Sequence, residues 1–88
     1  MFRMNEHICV AVNTKATGEK IRKLREKCGF SKTEVQESLG LVGVQSIYDW
    51  ENGVKLPNLE NALGLARLLG VDLDQLLVEI YPKEPCQT

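Results

Sequence analysis

Between Ile21 and Ile80 the apolar residues return every three or four positions, in runs broken by single glycines. That spacing lays an apolar stripe along a helix, because successive residues turn by about 100°. The runs are Ile21–Leu24–Cys28, Val35–Leu39, Ile47–Trp50, Leu59 to Leu69 and Leu73 to Ile80, with Gly29, Gly40, Gly53 and Gly70 between them. Glycine takes the left-handed conformation of a helix end at little cost, so each one reads as a stop. The starts are also marked. Ser31 with Glu34, and Asp72 with Gln75, have the spacing of a capping box. Asn58 caps the fourth run, and Thr17 the first, with Glu19 against the positive end of the helix dipole. Leu65 and Leu68 widen the fourth stripe, which implies contact on two sides or a surface for a second chain. Leu73, Leu76, Leu77 and Ile80 point the fifth run inward until Pro82 and Pro85 stop it. The pattern predicts an all-α, compact five-helix fold.

The helices occupy residues 17–81, between an N-terminal extended segment (1–16) and a C-terminal tail (82–88). The segment contains HICVAV, rich in β-branched residues, too short for a helix and without a partner strand nearby. It reads as a loose tail, an extended stretch over the core, or a strand pairing with another chain. An ordered role is favoured, because an exposed Ile8–Val12 run invites aggregation.

The stretch from Phe30 to Gly53 organises the rest. Its first helix carries Val35 and Leu39 inward and stops at Gly40. On its second helix, Ile47, Trp50 and Glu51 share one side. Gln45, Asp49 and Asn52 take the other, flanked by Val44 and Tyr48. One face holds the helix down while the other offers hydrogen bonds, which is how a helix-turn-helix presents a helix to the DNA major groove. Arg25 lies by angle on the buried stripe of the first helix, and a charge there needs a partner. Glu51, the one acid on the inward side of the third helix, is the natural candidate for a structural ion pair. Trp50 is core for the same reason, and Cys28 reads as a small core residue.

These residues resemble the lambda-repressor/Cro-like helix-turn-helix regulators. The family pattern is matched at Leu24-Arg25, Ser31, Glu34, Val35, Leu39-Gly40, Gln45, Ile47, Trp50-Glu51 and Gly53, then by Pro57 and the Gly70-Val71…Leu76-Leu77 ending. The likeness covers roughly residues 17–80. Val35-Gln36 replaces the usual Leu-Ala, the turn from Gly40 to Gly43 is one residue longer than common, and Asp49 stands where Arg, Lys or Gln often reads a base. The resemblance implies a lambda-repressor-like DNA-binding domain that contacts DNA through the outward residues of the third helix and the following loop.

Groove chemistry gives those residues roles. Gln45 can bond adenine bidentately, Val44 can pack on a thymine methyl, and Asp49 can accept from cytosine N4. Lys32, Ser46, Tyr48, Asn52 and Lys55 are expected on phosphates. One short recognition helix, about 44–52, offers little affinity, so a homodimer on double-stranded DNA is expected. Its candidate surfaces are the Val71–Gln75 corner, by resemblance, and Ile8–Val12.

Composition changes this picture in one respect. The net charge is −1, whereas nucleic-acid binders usually carry a basic surplus. The distribution matters more than the sum. Residues 1–32 hold eight Lys/Arg against three acids, and residues 33–88 hold three against nine. The acidic remainder, with Asp49, supports an alternative: a protein-interaction module of the same fold, antitoxin-like or an adaptor. Eighty-eight residues allow one small domain. The sequence has no apolar run long enough to span a membrane and no signal-peptide pattern. Cys9, Cys28 and Cys86 lack metal or disulfide spacing, and with the single His7 they fit a reducing cytoplasm. No cofactor, small-molecule ligand or nucleophile–base pair suggests an enzyme.

Overall fold

The structure, a computed structural model, describes residues 11–80. Five helices run in order through them: α1 (Thr14–Cys28), α2 (Lys32–Leu39), α3 (Gln45–Glu51), α4 (Leu59–Leu69) and α5 (Leu73–Leu76). Two short strands, β1 (Ala11–Val12) and β2 (Glu79–Ile80), pair antiparallel with Ala11 opposite Ile80. The helices end where the glycines stand: Gly29, Gly40 and Gly70 cap α1, α2 and α4 in the left-handed region. The Ser31–Glu34 capping box is formed in both directions, at 3.0 and 2.8 Å. Asn58 caps α4 through its side chain, and at α5 the Gln75 side chain accepts from the Asp72 N–H.

Thr17 does not cap α1. The helix begins three residues earlier, where Asn13 accepts from the Ala16 N–H at 3.0 Å. Thr17 is instead fully buried, and its hydroxyl accepts from the Val78 N–H at 2.9 Å. The Asn13 N–H donates to the Val78 carbonyl at 2.7 Å. Together these bonds clasp the two ends of the described chain. They also explain why α5 stops at Leu76 rather than continuing toward Ile80: the chain after it is extended and spends its backbone groups on β1 and Thr17. The partner strand missing from the local sequence is supplied by the same chain from its far end. Ile8–Val10 and residues 82–88 lie outside the described residues, as does the Ile80 side chain.

The core gathers Ile21, Val35, Ile47, Trp50, Leu65, Ala66, Leu69 and Leu76, so every helix contributes. Leu24, Phe30, Leu39, Leu41, Leu68, Val71 and Leu73 pack around it. Two expectations about packing fail. Cys28 is exposed, at the end of α1, with its thiol 3.7 Å from the Leu69 carbonyl. Leu59 and Leu63 are also outside, 68% and 44% exposed, because α4 turns Ala62, Leu65, Ala66 and Leu69 inward.

α1 and α3 approach each other backbone to backbone. A Cβ added at Gly18 would lie 2.1 Å from the Trp50 carbonyl oxygen and 3.0 Å from that of Glu51. Only glycine lets the last turn of α3 rest on α1 here. Four residues on from Ile21 along the same helix, Arg25 meets the end of α3 again. Its Nε donates to one oxygen of Glu51 at 2.6 Å and its Nη2 to the other at 3.2 Å. Both residues are buried. The Arg25 Nη1 donates to the Phe30 carbonyl at 2.9 Å, which ties in the turn before α2. The hydrogen bond to Glu51 raises the guanidinium pKa by more than burial lowers it, so Arg25 is charged in the folded protein.

Two substitutions test this packing. Arg25→Ala removes both hydrogen bonds to the buried Glu51 carboxylate, leaving Lys32 at 3.7 Å beside it. It should cost about 3 kcal/mol, the low end for a broken buried pair, whereas replacing both partners with a well-fitting apolar pair should be nearly neutral. An unchanged urea midpoint for Arg25→Ala would refute the buried pair. Gly18→Ala gains about 1 kcal/mol of helix preference. It should still lower stability, because the clash is with backbone rather than a flexible side chain and overpacking costs about 1–3 kcal/mol. A melting temperature equal to wild type would show that α1 and α3 slide apart freely.

Candidate nucleic-acid interface

α2 and α3 are joined by a turn that their own ends build. After Gly40 the Leu41 N–H returns to the Gln36 carbonyl at 3.0 Å, and the Gln36 side-chain amide donates to the Leu41 carbonyl at 2.5 Å. Gln36 therefore holds both sides of the turn, and Leu41 packs on the core. Val42 at the tip is fully exposed. α3 follows with Val44 at its N-cap.

α3 is fixed from behind by Ile47, Trp50 and Glu51, all buried. Its outer side carries the residues singled out in the sequence. Gln45 and Asn52 are exposed, Val44, Ser46 and Asp49 half-buried, and Tyr48 45% exposed. Val44, Gln45, Tyr48, Asp49 and Asn52 share this side because the opposite side is spent on the core.

Two of the candidate cations already have partners. Lys32, at the first position of α2, stands 4.8 Å over the Tyr48 ring and 3.7 Å from a Glu51 oxygen. The Lys55 ammonium is 3.6 Å from an Asp49 oxygen. The other Asp49 oxygen accepts from the Gln45 amide nitrogen at 3.0 Å. Gln45, Asp49 and Lys55 thus form one polar row along α3 and into its loop. The loop itself is anchored on Asp49, whose backbone carbonyl accepts from the N–H of Val54 and of Lys55.

Lys15 belongs to this neighbourhood and was not legible as such. Gly53 has φ +76°, and a Cβ there would lie 2.9 Å from the Lys15 Cα. The start of α1 therefore stands directly against the loop after α3, with Lys15 exposed beside it. Thirty-eight positions separate the two in sequence, and only the α1–α3 contact joins them. The lysine's place in the basic N-terminal third was its one signal. Lys15 thus adds a cation beside the loop that carries Lys55.

Among the described residues no cluster of three His, Cys, Asp or Glu side chains is placed to hold a metal ion. No described helix is long and apolar enough to cross a membrane.

Comparison with known proteins reports on the same region. A family model described as helix-turn-helix matches residues 21–76. Among solved structures, the fold is similar to the c2 repressor of P22 in complex with a synthetic operator. The two are 33% identical over 69% of this chain and 91% of the repressor chain, with a TM-score of 0.65. It is also similar to the restriction-modification controller protein C.AhdI from Aeromonas hydrophila, with 28% identity over 68% of this chain and 89% of that one and a TM-score of 0.62. The BldD DNA-binding domain of S. venezulae is 29% identical over 74% of this chain and 96% of that one, with a TM-score of 0.63. A comparison with curated protein sequences finds no match.

Proposed function

Because the chain belongs to the lambda-repressor/Cro-like helix-turn-helix family, we propose that it is a sequence-specific DNA-binding transcriptional regulator, a binding protein rather than an enzyme. The observation that carries this reading is the division of α3: Ile47, Trp50 and Glu51 lock it from behind, while Val44, Gln45 and Asp49 face outward. The P22 c2 repressor, 33% identical and solved with a synthetic operator, supports DNA as the partner. In this reading α3 lies in the major groove. Val44 packs on a thymine methyl, Gln45 spans the adenine edge, and Asp49 sits beside them in the base-facing row. Lys32, Ser46, Tyr48, Asn52 and Lys55 lie toward the phosphates, and Lys15 joins them. Phosphate would compete with Glu51 and Tyr48 for Lys32, and with Asp49 for Lys55.

The regulator acts as a homodimer in this proposal, because a seven-residue helix reaches few bases. Half-sites one turn apart place the two copies of α3 about 34–36 Å from each other. Exposed Leu59 and Leu63 on α4 offer a second-copy surface in addition to the Val71–Gln75 corner. Asp49 and the acidic surplus after residue 33 also favour the rival reading, a protein-interaction module. Selection of binding sites from random duplex DNA decides between them. A recovered consensus supports the regulator, and no binding to any duplex at low salt ends that reading.

Two further measurements follow. Lys32→Ala and Lys55→Ala should each weaken binding to all duplexes about equally and lower the slope of log K against log salt by roughly 0.9. A loss confined to one sequence would make the residue a base reader instead. Leu59→Glu with Leu63→Glu should leave the fold intact and make the protein monomeric in sedimentation at micromolar concentration. Unchanged association would move the dimer surface elsewhere.

A further inference from the structure

The amide of a glutamine carries a donor and an acceptor that differ little in shape, so a free Gln45 can present them to a base in either order. Asp49 removes that freedom. A carboxylate only accepts, so the Gln45 nitrogen, not its oxygen, must face Asp49, as it does at 3.0 Å. One amide hydrogen is then committed to Asp49. The second stands beside Oε1, and this donor–acceptor pair matches N7 and N6 of adenine. The flipped amide would set its oxygen against the carboxylate, oxygen against oxygen, which electrostatics disfavours.

Asp49 is itself poorly placed as a free reader. Its side chain is 21% exposed, one oxygen is held by Gln45, and the other lies 3.6 Å from the Lys55 ammonium. An acid aimed at DNA is also repelled by the phosphates unless its charge is offset, and Lys55 offsets it. Building on the DNA-binding reading above, we infer that Asp49 is a positioning residue for base readout: it fixes the orientation in which Gln45 addresses adenine and holds Lys55 beside the groove. Asp49 thereby determines specificity through Gln45 instead of through a base contact of its own. The loop is independent of this side chain, because Val54 and Lys55 bond to the Asp49 backbone carbonyl. Substitutions of Asp49 therefore leave α3 and its loop in place.

The test is a cycle of four full-length proteins, wild type, Asp49→Asn, Gln45→Ala and the double variant, each taken through selection on a random duplex library at one fixed salt concentration. Asparagine presents a donor as readily as an acceptor, so Asp49→Asn frees the Gln45 amide to turn over. It should reduce the adenine preference at one position by about fivefold or more. Gln45→Ala should flatten that same position, and adding Asp49→Asn to it should change preference no further. Non-specific affinity should rise with Asp49→Asn in both backgrounds, since a negative charge is removed, and this confirms that the variants fold.

Four results would overturn the inference. Flattening by Asp49→Asn that persists in the Gln45→Ala background makes Asp49 a direct reader, and flattening at a position Gln45 does not affect does the same. No change of preference with Gln45→Ala removes the residue through which Asp49 is argued to act. Absence of wild-type binding to any duplex defeats the DNA reading and this inference together, whereas the first three results defeat this inference alone.

Discussion

One carboxylate holds the geometry of the first three helices. Glu51, at the last position of α3, receives two hydrogen bonds from Arg25 of α1 and faces Lys32 of α2 at 3.7 Å. Arg25 also bonds to the Phe30 carbonyl between α1 and α2. A buried ion pair adds little net stability over a well-packed apolar pair, because both ions must leave water. Its contribution here is directional. Two parallel bonds to a planar guanidinium fix the end of α3 in distance and angle, which interchangeable leucines would not do.

That constraint acts together with a steric one. Gly18 brings the last carbonyls of α3 onto α1, and Arg25 meets the same end of α3 about two turns further along. Two contacts on one side restrain α3 against rolling and sliding and aim its outer row away from the core. A recognition surface made of one short helix depends on such rigidity, since a small tilt at the base would move every outward side chain. Gln36 does the complementary task at the other end, bracing the turn that leads into α3.

The outer row follows the same logic on a smaller scale. Its side chains are not independent projections: Gln45 leans on Asp49, Asp49 faces Lys55, and Lys32 rests over Tyr48 toward Glu51. Lys32 thus links the buried pair to the exposed face. These contacts limit the freedom of Lys32 and Lys55 along the outer face of α3.

Much of this protein was determined locally by its sequence. Helix periodicity, the Ser31–Glu34 box, the Asn58 cap and the glycines at 29, 40, 53 and 70 all act over a few residues, so their effects can be read in order along the chain. The Arg25–Glu51 pair was legible too, since each residue is the charged member of an apolar stripe and charges so placed require each other. What only the tertiary structure decided involves residues far apart in sequence. Thr17 has the chemistry of a cap, but Val78 arrives to use its hydroxyl while Asn13 caps the helix instead. The end of α5 and the β1–β2 pair were hidden for the same reason, because two-residue strands leave no periodicity. Cys28, Leu59 and Leu63 kept helical spacing yet fell outside, since a stripe wider than the available core surface must leave some members in water. Lys15 reached the loop after α3 only through the α1–α3 contact. The hydrogen bond from Gln45 to Asp49 was available to sequence reasoning as an i,i+4 neighbour pair, but whether those side chains face a base or each other depends on the space that the folded helix leaves them.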